Sequence, residues 1–324
     1  MPEFNFSKSG RTSFEKFVPP ITVFTILVSI GLFIGINLET GSITPEIYKR
    51  WGSPSPYDIF NGSYWGLITS NFLHTEIWHL AFNLYWIWFL GKKIEFETGT
   101  LYFVLLTITS ALVSSFSMLG FSSTTGIGLS GIGYAFFGFI FIQSKKSQKF
   151  NGYIDERTNR LFFVWLIVCV ILTKTKILAI GNAAHFGGLT WGIVLGFSTQ
   201  FSKLKQWIFA GLTFLVIGTS FLWSPFSISW LSNQAFKLHK SQKIDEAIIV
   251  YEKILKRDLD NEFAKNNLAQ LEKAKLHERA YKYHINLEYE KAREIYNEIL
   301  KLDSTDTWAK ENLERLPNEQ ITPN

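Results

Sequence analysis

The chain has 324 residues, 47% hydrophobic, 16% aromatic and only 18% charged, with a net charge of +5. Residues 233–316 hold 16 Lys and Arg against 16 Asp and Glu, so the positive excess lies in the apolar first part. There it bears on membrane orientation and gives no reason to invoke a nucleic-acid partner. The single cysteine, Cys169, excludes an intramolecular disulfide and a thiolate metal cluster, and reads as a small buried hydrophobe.

The first apolar run, Val18–Leu38, is long enough to span a bilayer, whereas a signal-peptide core is shorter. Glu39-Thr40-Gly41-Ser42 after it lacks a small-x-small cleavage site, so it is expected to remain as a transmembrane helix. Six further apolar segments follow at roughly Glu76–Leu90, Leu101–Leu119, Ser130–Gln143, Leu161–Leu172, Ala183–Thr199 and Trp207–Trp223. Between the first two, the loop Glu39–Asn71 carries Trp51, Pro54, Pro56, Tyr57, Phe60, Tyr64 and Trp65. Aromatics of this kind suit the membrane–water interface, and an ordinary extracellular loop reads equally well.

The fourth segment covers only about 20 Å at helical rise. The loop before it, Gly120–Leu129, contains Ser122, Ser123, Thr124 and Thr125. Polar, irregular backbone at depth is tolerated only inside protein or beside a water-filled cavity, so Ser130 is expected below the membrane surface. With the N-terminus inside, the cytoplasmic pieces hold 12 basic residues (Lys8, Arg11, Lys16, Lys92, Lys93, Lys145, Lys146, Lys149, Arg157, Arg160, Lys203, Lys205). The opposite side holds 4, Lys49, Arg50, Lys174 and Lys176. That bias predicts a cytoplasmic N-terminus and brings His79, Ser130 and His185 to a similar depth from the outer face.

After Trp223-Ser224-Pro225 the chain becomes dense in Lys and Glu. Ala247, Tyr251, Leu255, Ala264, Asn267 and Leu268 recur 45 residues later as Ala292, Tyr296, Leu300, Ala309, Asn312 and Leu313, and Ala235 recurs as Ala280. The small-residue spacing is similar to a tetratricopeptide (TPR) helix pair. The offset is longer than the usual repeat, which predicts an added helical extension; a generic helical hairpin repeat is the alternative.

Three polar sites stand out in the apolar segments. His79 and Asn83 are four apart, share one helix face, and as paired donors suit an oxyanion hole. Ser130 starts a helix, with Gly128 and Gly131 letting the backbone turn and a substrate approach. His185 heads a face on which Gly188, Gly192 and Gly196 recur every four residues, a pattern for very close helix packing. If the partner is the Ser130 helix, the imidazole becomes a candidate general base. Tyr134, one turn after Ser130, could buttress that ring. A zinc site of His74, His79 and His185 is the rival reading. Four residues separate His74 from His79, not the three of H-E-x-x-H, which would put them on different helix faces.

Together, NFLHTEIWHLAFNLYWIWFLG, GIGLSGIGYAFFGF and GNAAHFGGLTWGIVLG carry H-x3-N, G-x-S-G and A-H-x-x-G on alternate apolar segments. Over roughly Val18 to Gln200 the chain resembles the rhomboid family of intramembrane serine proteases. The resemblance implies Ser130 as nucleophile, His185 as general base, and His79, Asn83 and the Ser130 backbone N–H as the oxyanion hole. It further implies that Tyr134 stacks near His185, that His74 is a structural histidine, and that Glu95 is a carboxylate placed after the second helix. Many rhomboids have a Trp-Arg pair in the outer loop, whereas Trp65 here precedes Gly66, which puts the anchoring of that loop in question.

The expected architecture is all-α. It comprises a tail (1–17), a rhomboid-like six-helix transmembrane domain (18–200), a seventh membrane helix (201–225) and a TPR-like helical domain (226–324). The expected function is Ser-His proteolysis of transmembrane proteins, with no cofactor and no metal. The setting is a multi-pass protein of the bacterial plasma membrane, with the C-terminal domain outside and free to take a protein partner. The alternatives are a non-catalytic adaptor that binds transmembrane segments and recruits a partner, and, last, a transporter or channel.

Overall fold

The computed structural model describes residues 13–122 and 124–317, all helical or irregular with no strand among them. Lys8, Arg11 and Ser123, used in the readings above, lie outside the described residues, as do residues 1–12 of the tail.

The first membrane helix, α1 (Pro20–Asn37), opens on two prolines and has no capping side chain of its own. Glu95 supplies the cap from 74 residues away. Its two oxygens accept the Ile21 and Thr22 backbone N–H groups at 2.9 and 3.0 Å, and the Thr22 hydroxyl at 2.8 Å. A carboxylate at a helix N-terminus meets unpaired donors and the positive end of the dipole. Three short helices follow in the outer loop: α2 (Pro45–Arg50), α3 (Pro56–Phe60) and α4 (Gly66–Thr69). A 3₁₀ turn, Ser70–Phe72, completes the loop.

The second membrane helix is longer than the apolar run predicts. α5 (Ile77–Trp86) passes through a π turn at Ile87–Gly91 directly into α6 (Lys92–Thr98). The expected boundary fell at Leu90 because Lys92, Lys93, Glu95 and Glu97 interrupt the apolar pattern. Two of these charges are internal: Glu95 caps α1, and Lys93, 1% exposed, pairs with Glu97 at 2.8 Å. Lys93 is therefore part of the bundle's own ion pairing. Gly99, at φ +82°, ends α6 and starts α7 (Thr100–Phe121).

α8 (Ser130–Lys146) is the central helix, buried at every position from Gly131 to Ile140. A helix apolar all round belongs in the middle of a bundle. α9 (Glu156–Lys174) extends the fifth apolar run by a polar first turn capped by Asp155, and buries only Phe162, Leu166 and Cys169. α10 (Asn182–Ser198) lies against α8 through its glycines. A Cβ at Gly188 would overlap the Gly131 carbonyl oxygen, one at Gly192 the Ala135 oxygen, and one at Gly138 would sit 2.6 Å from the Leu189 oxygen. No residue larger than glycine fits these crossings without separating the helices. α11 (Lys203–Leu222) buries only Ala210 and exposes Leu204, Trp207, Leu212, Leu215 and Val216, a surface suited to lipid. Among the described residues, three helical stretches are long and apolar enough to cross a membrane by themselves: Ser13–Asn37, Thr100–Phe121 and Lys203–Leu222. The shorter ones complete a polytopic membrane bundle.

The chain divides after Trp230 into two units. The second begins within α12 (Ile228–Lys240) and continues through α13 (Ile244–Leu255), α14 (Glu262–Ile285), α15 (Tyr289–Leu302) and α16 (Thr307–Glu314). Ala235, Ala247, Ala264, Ala280, Ala292 and Ala309 are all 0% exposed, as are Tyr251 and Tyr296, so the repeated positions are the packing positions. The caps repeat as well: Asn261 accepts from the Ala264 N–H and Asp306 from the Ala309 N–H, both at 3.0 Å. The 24-residue α14 explains the long offset. Its first half is the extension of one unit and its second half the opening helix of the next. No glycine or proline breaks it.

Candidate active site

Ser130 is the first residue of α8, at the end of a loop that glycine makes possible. Gly128 has φ +102°, and a Cβ there would lie 2.5 Å from His79 Cε1 and 2.8 Å from its Nε2. Both the backbone angle and the space demand glycine. The two peptide N–H groups ahead of the serine are held from the outer loop: that of Gly128 donates to the Ser70 carbonyl at 3.3 Å, and that of Leu129 to His74 Nε2 at 3.3 Å.

His74 is fully buried, with Nδ1 3.1 Å from the Phe72 carbonyl oxygen. A carbonyl only accepts, so Nδ1 carries the proton and Nε2 is left as an acceptor. That acceptor takes both the Leu129 N–H and the Asn83 side-chain amide, the latter at 2.9 Å. One of the two Asn83 amide hydrogens is thus committed to His74. The different-faces expectation for His74 and His79 is incorrect. His74 precedes the helix, which starts at Ile77, and the two rings meet edge to face with centroids 4.9 Å apart. His79, Asn83 and the Gly128-Leu129-Ser130 backbone therefore converge on one place.

His185, on the first turn of α10, is 4% exposed, and its Nε2 lies 2.8 Å from Ser130 Oγ. Its Nδ1 is buried and has no hydrogen-bond partner among the described residues. The Tyr134 ring lies against the imidazole at 4.7 Å between centroids and 31° between planes, and its hydroxyl donates to the Phe162 carbonyl at 3.2 Å. Gly188, one turn after His185, sits on the Gly131 backbone, so the glycine crossing and the Ser130–His185 approach are one packing contact. Among the described residues no group of three His, Cys, Asp or Glu side chains is arranged to hold a metal ion.

Residue reasoning on its own weighed His74 only as a zinc ligand, whereas the structure puts it between Asn83 and the serine loop. Its one signal was position: an imidazole in the apolar approach to α5, with His79 following. The Ser70 carbonyl, which holds Gly128, had no signal, since backbone acceptors carry no side-chain signature.

Residues 61–202 match the family model described as the rhomboid domain. Two similar proteins are a rhomboid protease GlpG of Klebsiella pneumoniae, 32% identical over 179 residues, and one of Yersinia pseudotuberculosis, 30% identical over 181. Each alignment takes in 55% of this chain and 62% of the relative, so the chain spans less than two thirds of their length. A rhomboid protease GlpG of Salmonella paratyphi A is 26% identical over 188 residues, 58% of this chain and 66% of the relative. The matched segment, a rhomboid domain by that description, contains His74, His79, Asn83, Ser130, Tyr134 and His185 together, inside the glycine-packed helical bundle.

Proposed function

We propose that this protein is an intramembrane serine endopeptidase that cleaves transmembrane proteins through a Ser130–His185 dyad. The observation that carries this reading is the 2.8 Å approach of His185 Nε2 to Ser130 Oγ at the head of a buried helix crossing. Ser130 Oγ attacks the peptide carbonyl carbon as its proton passes to His185 Nε2. Negative charge then develops on the carbonyl oxygen, where His79, the remaining Asn83 amide hydrogen and the Ser130 backbone N–H stabilise it. The tetrahedral species collapses, the C–N bond breaks, and His185 returns its proton to the leaving amine. Water, deprotonated by His185, attacks the acyl-enzyme ester; the carboxylic acid leaves and Ser130 regains its hydrogen. Tyr134 keeps the imidazole in plane, while Gly128, Gly131 and Gly188 keep the serine and the base close. The cycle draws on no cofactor.

The domain limits given by the sequence, a cytoplasmic N-terminus, an extracytoplasmic C-terminal unit and a bacterial plasma-membrane setting belong to the same proposal. So does the assignment of that unit as TPR-like, with a protein partner. The test is cleavage of a model transmembrane substrate by the full chain in proteoliposomes. Ser130→Ala and His185→Ala should each abolish cleavage at unchanged expression and melting midpoint. Cleavage at the wild-type rate by Ser130→Ala would sink the assignment.

A further inference from the structure

The outer loop lacks the Trp-Arg pair, yet it is anchored at another place. Glu39, just beyond α1, accepts the Trp51 indole N–H at 2.6 Å and an Arg50 guanidinium N–H at 2.7 Å through the same oxygen. The end of the Trp51 six-membered ring sits against α1 at Gly35, where a Cβ would overlap it. The Glu39 side chain is 22% exposed and Arg50 63%, so the indole bond is the better shielded of the two and the ion pair is screened by water. These bonds, from Trp51 first and Arg50 second, hold the Glu39 carboxyl below its ordinary range.

From this clamp, contacts run without a gap to the serine loop. Gly52, next to Trp51, accepts the Thr69 hydroxyl at 2.5 Å through its carbonyl oxygen. Thr69 ends α4, and Ser70 directly after it accepts the Gly128 N–H at 3.3 Å. Asn71 ties the same turn to α7 through Ser115 Oγ at 3.1 Å.

We propose that Glu39 is a positioning residue that fixes Trp51 on α1 and thereby holds, through Gly52, Thr69 and Ser70, the backbone that presents Ser130. This rests on the reading of Ser130 as nucleophile, and the experiment separates the two. The full chain in detergent is reacted with a fluorophosphonate probe, which forms a P–O bond to an activated serine and expels fluoride. The second-order labelling rate is measured well below the melting midpoint of every variant, so that the folded fraction is constant.

Ser130→Ala must abolish labelling; labelling that persists there refutes the nucleophile and leaves the clamp to be judged on cleavage of a transmembrane substrate. Glu39→Ala should slow labelling about tenfold, in keeping with loss of a charge-assisted hydrogen bond. Glu39→Gln, which keeps an oxygen for the indole N–H, should recover most of that rate, which a general loss of surface charge would not allow. Thr69→Val should slow labelling too, and the Glu39→Ala/Thr69→Val double variant should be no slower than the slower single one, as for two links of one path. Wild-type labelling by Glu39→Ala, no recovery in Glu39→Gln, or multiplying losses in the double variant would each overturn the proposal.

Discussion

Gly188→Ala should disable the site while leaving the fold in place. The added methyl carbon would lie well under 3.0 Å from the Gly131 carbonyl oxygen, and ordinary contact begins at 3.4 Å. The obstacle is backbone, with no flexible side-chain end to yield, so α8 and α10 must separate by about 1 Å or more. Ser130 adjoins Gly131, and His185 is one turn from Gly188, so the separation reaches the pair almost undiminished. The 2.8 Å approach opens to about 3.8 Å, beyond hydrogen-bond reach. A misplacement of about 1 Å costs on the order of 10²-fold in turnover, while the overpacking costs about 1–3 kcal/mol of stability. The assay is kcat and KM for a fluorogenic transmembrane substrate in proteoliposomes, with the melting midpoint followed by circular dichroism. Gly133→Ala is the internal control: it is on the partner helix α8, three residues after Ser130, and a Cβ there meets nothing within 4 Å. Gly188→Ala turning over at more than half the wild-type rate, or Gly133→Ala failing equally, would refute the packing argument.

Glu95→Ala removes all three hydrogen bonds at the head of α1 and should destabilise the bundle by about 3 kcal/mol, read as a lower melting midpoint, with Glu95→Gln intermediate. Tyr134→Phe keeps the ring against His185 and loses only the bond to Phe162, so turnover should stay within about threefold of wild type. Tyr134→Ala frees the imidazole and should cost about tenfold or more in kcat with little change in KM. In the C-terminal unit, hydrogen bonds from the Thr305 hydroxyl, then Lys273, then the Thr305 backbone hold the Asp303 carboxyl well below its ordinary value. A depressed folded-state pKa contributes stability that is present above the unfolded value and lost as pH falls through the folded one. Protection of the α15 and α16 amides from hydrogen exchange in the full chain, taken relative to the intrinsic rate at each pH, should therefore fall below about pH 4, and Asp303→Asn should remove part of that dependence.

The fold was legible wherever one kind of pattern ran unbroken. All seven apolar segments are helices, because a long apolar run in this chain has nowhere to satisfy its backbone except within itself. The places where pattern and element part company have separate causes. α5 does not stop at Leu90, because Glu95 after it reaches the head of α1 and the buried Lys93 pairs with Glu97 on its own helix, and a hydropathy pattern scores an inward charge as an end. α14 joins two halves that the repeat treats as separate, because continuity depends only on the absence of a breaker between Leu271 and Lys273. The glycines of α10 were legible because their spacing is the geometry: four-residue recurrence puts three bare positions on one line, and α8 lies along it.

The candidate site divides along a different line. Ser130, His185, His79 and Asn83 could be singled out because each is a polar side chain that an apolar helix must account for. Partners made of backbone leave no such mark. The Ser70 carbonyl holds the Gly128 N–H, the Gly131 carbonyl sets how near α10 comes, and the Phe72 carbonyl decides which nitrogen of His74 keeps its proton. That last contact has the widest consequence. With the proton on Nδ1, His74 Nε2 accepts from both Asn83 and Leu129 and orients a candidate oxyanion donor and the serine loop together. With the proton on Nε2, the same ring would repel both donors and the two halves of the site would part. One carbonyl oxygen in a three-residue turn thus fixes a tautomer, and the tautomer fixes the relative placement of two elements that the sequence pattern treats as independent.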